Sequence, residues 1–279
     1  MSSWLRVLLF LGIPFSLVLA EPQSASREKS GPSPLAFAEL STLTSAAQAQ
    51  ELAEFRKAAQ RGDADAQASL ASSYYLGKGV PADLHEAVIW YRKAAAGGNA
   101  KAQTILGIMQ ESGEGMPRDV AEATKWFRQA AEQGDADAQA KLGEKYYLGE
   151  GVAKDLGQAM KWLQKAALQG DAESQAKLGA MYYLGDGVPR DITEALKWFR
   201  LASAQGDAYA EGCLGVMYAM GDGVPKDPVA AYAWLLQAKA GGNAQATQTI
   251  QTITEGLTPA QLEEGQRRAA EALKALPLE

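Results

Sequence analysis

A period of 36 residues runs through most of this chain and constrains its fold more than any other feature. Tryptophan recurs at that spacing without an insertion, at positions Trp90, Trp126, Trp162, Trp198 and Trp234. Glycine keeps the same step from Gly62 to Gly242, and leucine keeps it from Leu70 to Leu214. Such self-similarity is typical of stacked supersecondary units, none of which can bury its apolar face alone.

A glycine-rich stretch returns in every repeat and reads LGDGVPRD from Leu184 to Asp191. Its glycines permit the positive φ at which a helix ends, and its proline prevents the helix from continuing. A calcium loop would need more oxygen ligands over a longer spacing, and a phosphate loop would need a preceding strand. We therefore interpret the stretch as the bend between two helices.

The aspartate that closes each bend is a preferred N-cap for the helix that follows. It stands at Asp83, Asp119, Asp155, Asp191 and Asp227. Glutamate or glutamine follows three residues later in four copies, as in a capping box, and Pro228 follows in the fifth. Within the second helix, Ala159, Trp162 and Ala166 lie on one face because they are spaced by three and four residues. The sequence thus predicts an all-α solenoid of antiparallel helix pairs.

The predicted solenoid takes residues 45–276. Its parts are a starting helix at 46–61, five repeats at 62–97, 98–133, 134–169, 170–205 and 206–241, and a partial unit with a C-terminal cap at 242–276. We number the five repeats from 1 to 5, and we number positions within a repeat from its first glycine.

The repeated pattern is A-x-A-Q-x-x-L-G-x-x-Y-x-x-G-x-G-V-x-x-D-x-x-x-A-x-x-W-x-x-x-A-A, plainest from Ala136 to Ala167 and from Ala172 to Ser203. It resembles the Sel-one-like repeat, a variant of the tetratricopeptide helix pair, over about residues 46–255. The resemblance implies a tetratricopeptide-like superhelix that acts as an adaptor or assembly scaffold for other proteins.

Composition excludes several kinds of site. The net charge of -6 argues against a protein that follows nucleic-acid phosphates. The one cysteine, Cys213, cannot form an intramolecular disulfide, and the one histidine, His85, excludes any site that needs two imidazoles. Cysteine-rich relatives linked to β-lactams carry paired cysteines in each repeat, and this chain lacks them. We therefore expect no enzyme, no cofactor and no metal site.

The first twenty residues have the layout of a secretory signal peptide. Arg6 precedes an apolar run from Val7 to Leu19, and small residues surround a cleavage point after Ala20. An uncleaved N-terminal anchor is the alternative. Residues 21–44 are rich in Ser, Pro, Ala and Gln and are predicted to be a flexible tether. We expect a periplasmic or secreted protein, with no stable membrane span after processing.

Positions 4, 8 and 11 of the first helix vary between repeats and share one helical face. First helices line the inner surface of curved helix-pair solenoids, so this face is predicted to form a concave groove for a protein or peptide. Drift of a solvated face is the alternative. The candidate partner-binding residues are Tyr75, Glu111, Lys141, Glu144, Tyr147, Lys177, Tyr183 and Tyr209.

Tyrosine pairs occur at position 13 and position 14 of three repeats, as in Tyr146–Tyr147. The first ring is expected in the core, and the second is expected to face the groove, where aromatic contacts are enriched at interfaces. Glu111 stands at position 14 of repeat 2 and would then place an acidic group in the groove where those three repeats have a ring. Packing of both rings between repeats is the alternative. Rings along a groove would also stack on sugars, so a carbohydrate- or peptidoglycan-binding module is the alternative function.

Overall fold

A computed structural model describes residues 45–275, with side chains from 53 to 273, and every regular element in that range is an α-helix. The predicted signal peptide and tether, residues 1–20 and 21–44, lie outside the described residues. The helices up to the middle of the chain are α1 (Ser45–Gln60), α2 (Ala64–Leu76), α3 (Leu84–Ala96), α4 (Ala100–Ser112), α5 (Val120–Glu132), α6 (Ala136–Leu148) and α7 (Leu156–Leu168). The remaining helices are α8 (Ala172–Leu184), α9 (Ile192–Ser203), α10 (Ala208–Met220), α11 (Pro228–Ala240), α12 (Ala244–Thr254) and α13 (Pro259–Ala275).

The described residues form two compact parts, an N-terminal half of residues 45–165 and a C-terminal half of residues 166–275. In the N-terminal half, α1 to α6 pack on one another in chain order. In the C-terminal half, α8 to α11 pack in the same way, and α11 also contacts both α12 and α13. Contacts between helices adjacent in sequence are the expected arrangement of a repeat array.

Each bend ends one helix and starts the next as the sequence predicts. Gly149, after α6, has φ 79° and its N–H donates to the carbonyl of Lys145. Four other glycines end first helices in the same left-handed conformation. The closing aspartate caps the second helix: Asp191 Oδ1 accepts the N–H groups of Thr193 and Glu194 at 2.9 and 3.0 Å.

The predicted capping box is only half formed in these bends. The N–H of Asp83 donates to the carbonyl of Tyr74 at 2.9 Å, and the other four closing aspartates make the equivalent bond. Because that N–H is already satisfied, the glutamate three residues later bonds elsewhere. Glu86, for example, accepts from the indole of Trp90 at 3.2 Å. The prediction of a reciprocal box was therefore wrong for the second helices.

The C-terminal helix α13 does have a reciprocal box. Thr258 donates its backbone N–H to Gln261 Oε1 at 2.9 Å, and the hydroxyl of Thr258 accepts the N–H of Gln261 at 3.4 Å. The helix then lies against α11, where the Cα of Gly265 approaches the ring of Tyr232 so closely that a Cβ would be 2.6 Å from Cδ1. This helix, Pro259–Ala275, lies within the segment predicted as the C-terminal cap.

Within each repeat, a small residue at position 10 of the first helix receives a large side chain from position 30. A Cβ built on Gly107 would lie 2.6 Å from Cε1 of Phe127, and one on Gly143 would lie 2.7 Å from Cγ of Leu163. The position-30 side chains are fully buried, namely Tyr91, Phe127, Leu163, Phe199 and Leu235. The neighbouring tryptophan at position 29 is less completely buried, since Trp162 keeps 6% exposure and Trp90 is half-buried.

A buried glutamine joins each repeat to the helix before it. The side-chain amides of Gln67, Gln103, Gln139 and Gln175 donate to the carbonyls of Ala59, Ala95, Ala131 and Ala167 at 3.0–3.1 Å. Each glutamine stands at position 6 and is at most 7% exposed. Each carbonyl belongs to the last turn of the preceding helix and accepts one N–H, from the glycine three residues later. The amide therefore adds a second hydrogen bond to this carbonyl, across the junction.

We predict that Gly143→Ala lowers the free energy of unfolding, because the added methyl group cannot fit against Leu163. Overpacking costs about 1–3 kcal/mol, which exceeds the gain of roughly 0.8–1.0 kcal/mol in helix propensity. Urea denaturation followed by circular dichroism measures the difference.

Gly157→Ala is the matched control. Gly157 is exposed at the second residue of α7, where the other repeats carry His, Ala, Thr or Val. This substitution should raise stability by about 0.5–1 kcal/mol. Equal effects of the two substitutions would contradict the packing of position 10 against position 30.

Candidate partner-binding face

The variable face of the first helices is not exposed evenly. Position 4 is exposed in four repeats and position 8 is half-buried in all five. Position 11 is buried in every repeat except repeat 2, where Ile108 is 40% exposed. The predicted groove residue Glu144 occupies this position and is 9% exposed, with Lys141 Nζ at 3.6 Å from its carboxylate. Glu144 is thus a buried ion-pair partner, and the face is narrower than the sequence suggested.

Large apolar side chains extend the face at position 15, four residues beyond position 11. Leu76, Leu148 and Met220 are 43%, 38% and 40% exposed. In the N-terminal half, Leu76, Ile108 and Leu148 belong to α2, α4 and α6. Position 15 could not be recognised as outward-facing from the sequence, because a leucine just before a glycine bend looks like a core residue of the helix end. Only the structure shows that the side chain turns outward.

Tyr75 and Tyr183, the second tyrosines of two of the pairs, each link consecutive repeats. The hydroxyl of Tyr75 donates to Glu114 at 3.3 Å, and that of Tyr183 donates to Asp222 at 2.9 Å. Both acids stand 39 residues downstream, in the bend of the next repeat. Burial and, next, Asp222 hold the pKa of Tyr183 well above its ordinary value, so the hydroxyl remains a donor. Tyr183 is 7% exposed and is therefore a packing residue rather than an open groove contact.

The first tyrosines are not core residues either. Tyr74 and Tyr146 are half-buried, and their hydroxyls accept hydrogen bonds from Arg56 at 3.3 Å and Arg128 at 3.0 Å. Tyr147 is also half-buried, with the ammonium of Lys154 at 5.2 Å from the ring centroid. The expected division into an inner and an outer ring was wrong, because the first rings Tyr74 and Tyr146 are half-buried whereas the second ring Tyr183 is buried.

Glu111 replaces the second tyrosine in repeat 2 and takes part in an ion-pair triad. The ammonium of Lys145 lies between the carboxylates of Glu111 and Glu150, at 2.8 Å from the latter. Lys145 is 3% exposed and occupies position 12, where three other repeats carry a buried methionine. Although burial lowers it, hydrogen bonds to Glu111 and Glu150 raise the pKa of Lys145 overall, so it stays charged. Glu111 is thus committed to the repeat junction and is not an acidic groove contact.

Two further candidates lie in the C-terminal half. Lys177 has a side chain 13% exposed and pairs with Glu173 at 2.9 Å. Tyr209 is half-buried and packs against the apolar core that includes Phe199 and Leu214. Within the described residues, no cluster of His, Cys, Asp and Glu could hold a metal ion. None of the helices between residues 45 and 275 is long and apolar enough to cross a membrane.

The family model of the Sel1 repeat matches residues 64–99, 100–135, 136–171, 172–207 and 213–243. The chain belongs to the Sel1 repeat family. No curated protein matches it. The Sel1 repeat protein of Oxalobacter formigenes is similar in structure, with 34% identity and a TM-score of 0.64, over 81% of this chain and 99% of that one.

A protective antigen present in uropathogenic Escherichia coli strains, which displays an SLR fold, is also similar. It is 30% identical with a TM-score of 0.61, over 81% of this chain. This chain spans 56% of that antigen. The Sel1 assignment confirms the resemblance inferred from the repeated pattern and the all-α solenoid class.

The triad is the clearest departure of this chain from the regular Sel1 repeat, and it yields a test. We predict that Lys145→Met lowers the free energy of unfolding by about 1–3 kcal/mol, because two carboxylates then face each other without a cation. The double variant Lys145→Met/Glu111→Tyr restores the residues of the other repeats. It should return to within about 1 kcal/mol of the original protein, because the new hydroxyl can donate to Glu150.

Lys125→Met is the control, since Lys125 is exposed and pairs with the surface residue Glu122. That substitution should change stability by no more than about 0.5 kcal/mol. If the double variant unfolded as readily as Lys145→Met alone in urea titrations, the facing carboxylates would not be the cause of the instability, and the role of Lys145 between them would be contradicted.

Proposed function

We propose that this Sel1 repeat protein is an exported adaptor that binds a protein or peptide through the outward face of its first helices. Sel1 repeats commonly form scaffolds for protein interaction. The apolar run and small residues of segment 1–20 support export. The described residues carry no metal-binding cluster, and the family is typically non-catalytic, so binding is the activity that the fold supports best.

One observation carries the choice of surface. Ile108 is 40% exposed at a position where the other four repeats bury their side chain. On the same face of α4, Ile105 is half-buried and Lys101 is exposed. An accessible apolar side chain bordered by charged groups is the composition of an interface with an apolar centre and a polar rim. The N-terminal half therefore offers the better docking face.

Charge and shape define the class of partner. In the N-terminal half, the charged residues at positions 4 and 8 of this face are Asp65, Lys101, Asp137 and Lys141. An extended segment or loop with an apolar side chain for Ile108 and an acidic group for Lys101, which lies on the same helix, would match this arrangement. Leu148, 38% exposed at the end of α6, provides a second apolar contact.

The carbohydrate alternative is weaker for a structural reason. It needs tyrosine rings that lie open along the groove, since sugars stack on the flat face of an aromatic ring. Tyr183 is buried, and the hydroxyls of both Tyr75 and Tyr183 are bonded to acids of the next repeat. These rings hold repeats together, which favours the protein-binding function.

Capture experiments with matched variants test the proposal. The face variant carries Ile108→Glu and Lys141→Glu, and the control carries Gln129→Glu and Lys125→Glu on α5, where both side chains are exposed. Each pair changes the net charge by the same amount. We expect both variants to remain helical by circular dichroism, and only the face variant to lose the envelope protein that the original captures at physiological salt.

Three outcomes would reject the proposal. Loss of the captured protein in the control alone would move the binding surface to the second helices. Unchanged capture by the face variant, measured with the same purified partner, would show that the face around Ile108 does not bind it. Retention on cell-wall glycan in place of a protein would favour the carbohydrate alternative.

A further inference from the structure

Position 6 carries a glutamine in repeats 1 to 4 and a glutamate, Glu211, in repeat 5. Each of the four glutamines donates its amide to a carbonyl eight residues upstream. The same offset from Glu211 leads to the carbonyl of Ser203, in the last turn of α9. Glu211 is as deeply buried as the glutamines, with 2% exposure.

Glu211 occupies a position whose side chain donates a hydrogen bond in the other four repeats. The carbonyl of Ser203 already accepts the N–H of Gly206 at 2.9 Å, as the four alanine carbonyls accept from their own glycines. A carboxylate has only acceptor atoms, and two acceptors that face each other in a buried site repel. A protonated carboxyl group has one O–H, which can take the place of the amide N–H.

Repeat 5 also lacks the second hydrogen-bond donor that repeats 2 and 4 have at position 36. In repeats 2 and 4, the side-chain oxygens of Gln103 and Gln175 accept from Gln133 at 2.7 Å and Gln205 at 2.9 Å, both at position 36. Position 36 of repeat 5 is Gly241, which has no side chain to donate. Nothing in the repeat pattern therefore compensates a negative charge on Glu211.

We propose that Glu211 is protonated in the folded protein and donates a hydrogen bond to the carbonyl of Ser203, so that the junction between α9 and α10 weakens as the pH rises. The junction is then a pH-responsive element of the C-terminal half. Weakening it would loosen α10, which carries Tyr209 and Met220 of the first-helix face.

The electrostatic surroundings favour the neutral form. Burial and, next, the charge of Asp207 raise the pKa of Glu211 to about 7. The helices that pack on α10 carry other charged residues, namely Glu173 and Lys177 on α8, whose N-cap is Asp171, then Glu194, Lys197 and Arg200 on α9, and Lys239 on α11. Asp171 and Glu173 act on Asp207, and α12 contains no titratable residue. Among these groups, Asp207 is the one whose charge acts on Glu211.

The sign of the effect follows from the raised pKa. A carboxyl group with a higher pKa when folded than when unfolded stabilises the fold most at pH values below the unfolded value of 4.5. That contribution is lost as the pH rises towards 7. The unfolding equilibrium constant should therefore rise by roughly a hundredfold across this window, at tenfold for each unit of pKa shift.

Thermal unfolding between pH 5 and pH 8 tests the proposal with four proteins. Glu211→Gln restores the residue of the other repeats and should have a midpoint that falls less with pH than that of the original protein, with the higher midpoint at pH 8. Glu263→Gln makes the same charge change at an exposed site of α13 and should follow the original profile.

Gln67→Glu introduces the carboxyl into repeat 1, where position 36 is also a glycine, Gly97, and position 2 is also an aspartate, Asp63. The midpoint of thermal unfolding of this variant should fall more steeply with rising pH than that of the original protein, because a second buried carboxyl group then loses its proton. Infrared spectroscopy of the original protein near pH 6 should show a protonated carboxyl band that is absent from Glu211→Gln. Parallel profiles for the original and Glu211→Gln, or a lower midpoint for Glu211→Gln at pH 8, would overturn the proposal.

Discussion

The carbonyl groups in the last turn of each second helix are the constraint on which this structure depends. Each of these carbonyls accepts one N–H, from the glycine three residues later, and the next repeat buries its remaining lone pair. A buried side-chain amide that donates to this second lone pair adds a hydrogen bond across the junction. The glutamine amide at position 6 supplies it across four junctions, as Gln103 does for Ala95 at 3.0 Å. The stack therefore joins through specific polar contacts as well as through apolar packing.

Close helix packing completes each repeat around that contact. A glycine at position 10 lets the first and second helices approach until Phe127 lies directly over Gly107. The repeats differ at the outward positions of the first helix and at a few junctions, among other places. Lys145 and Glu211 both lie at junctions between repeats. Lys145 stands where three other repeats carry methionine, and Glu211 stands where the other four carry glutamine, so each puts an ionisable side chain in place of a neutral one.

The period, the caps and the bends could be predicted from the sequence, because they depend on local rules that recur 36 residues apart. Asp191, for example, caps α9 in the structure, as its place at the end of the bend predicts. The pairing of Tyr183 with Asp222 could not be predicted in this way, since it joins positions 39 residues apart in different repeats. Glu111 looked like an exposed exception for the same reason, because Lys145, its partner, stands in the next repeat.

The central claim is that buried side-chain amides hold consecutive repeats together, and Gln103→Met tests it most directly. Methionine has a similar volume but no donor, so the Ala95 carbonyl would lose its contact across the junction. Urea denaturation should show a loss of about 1–3 kcal/mol in the free energy of unfolding. The exposed control Gln129→Met should change it by no more than about 0.5 kcal/mol. Equal stabilities for Gln103→Met and the original protein would contradict the account.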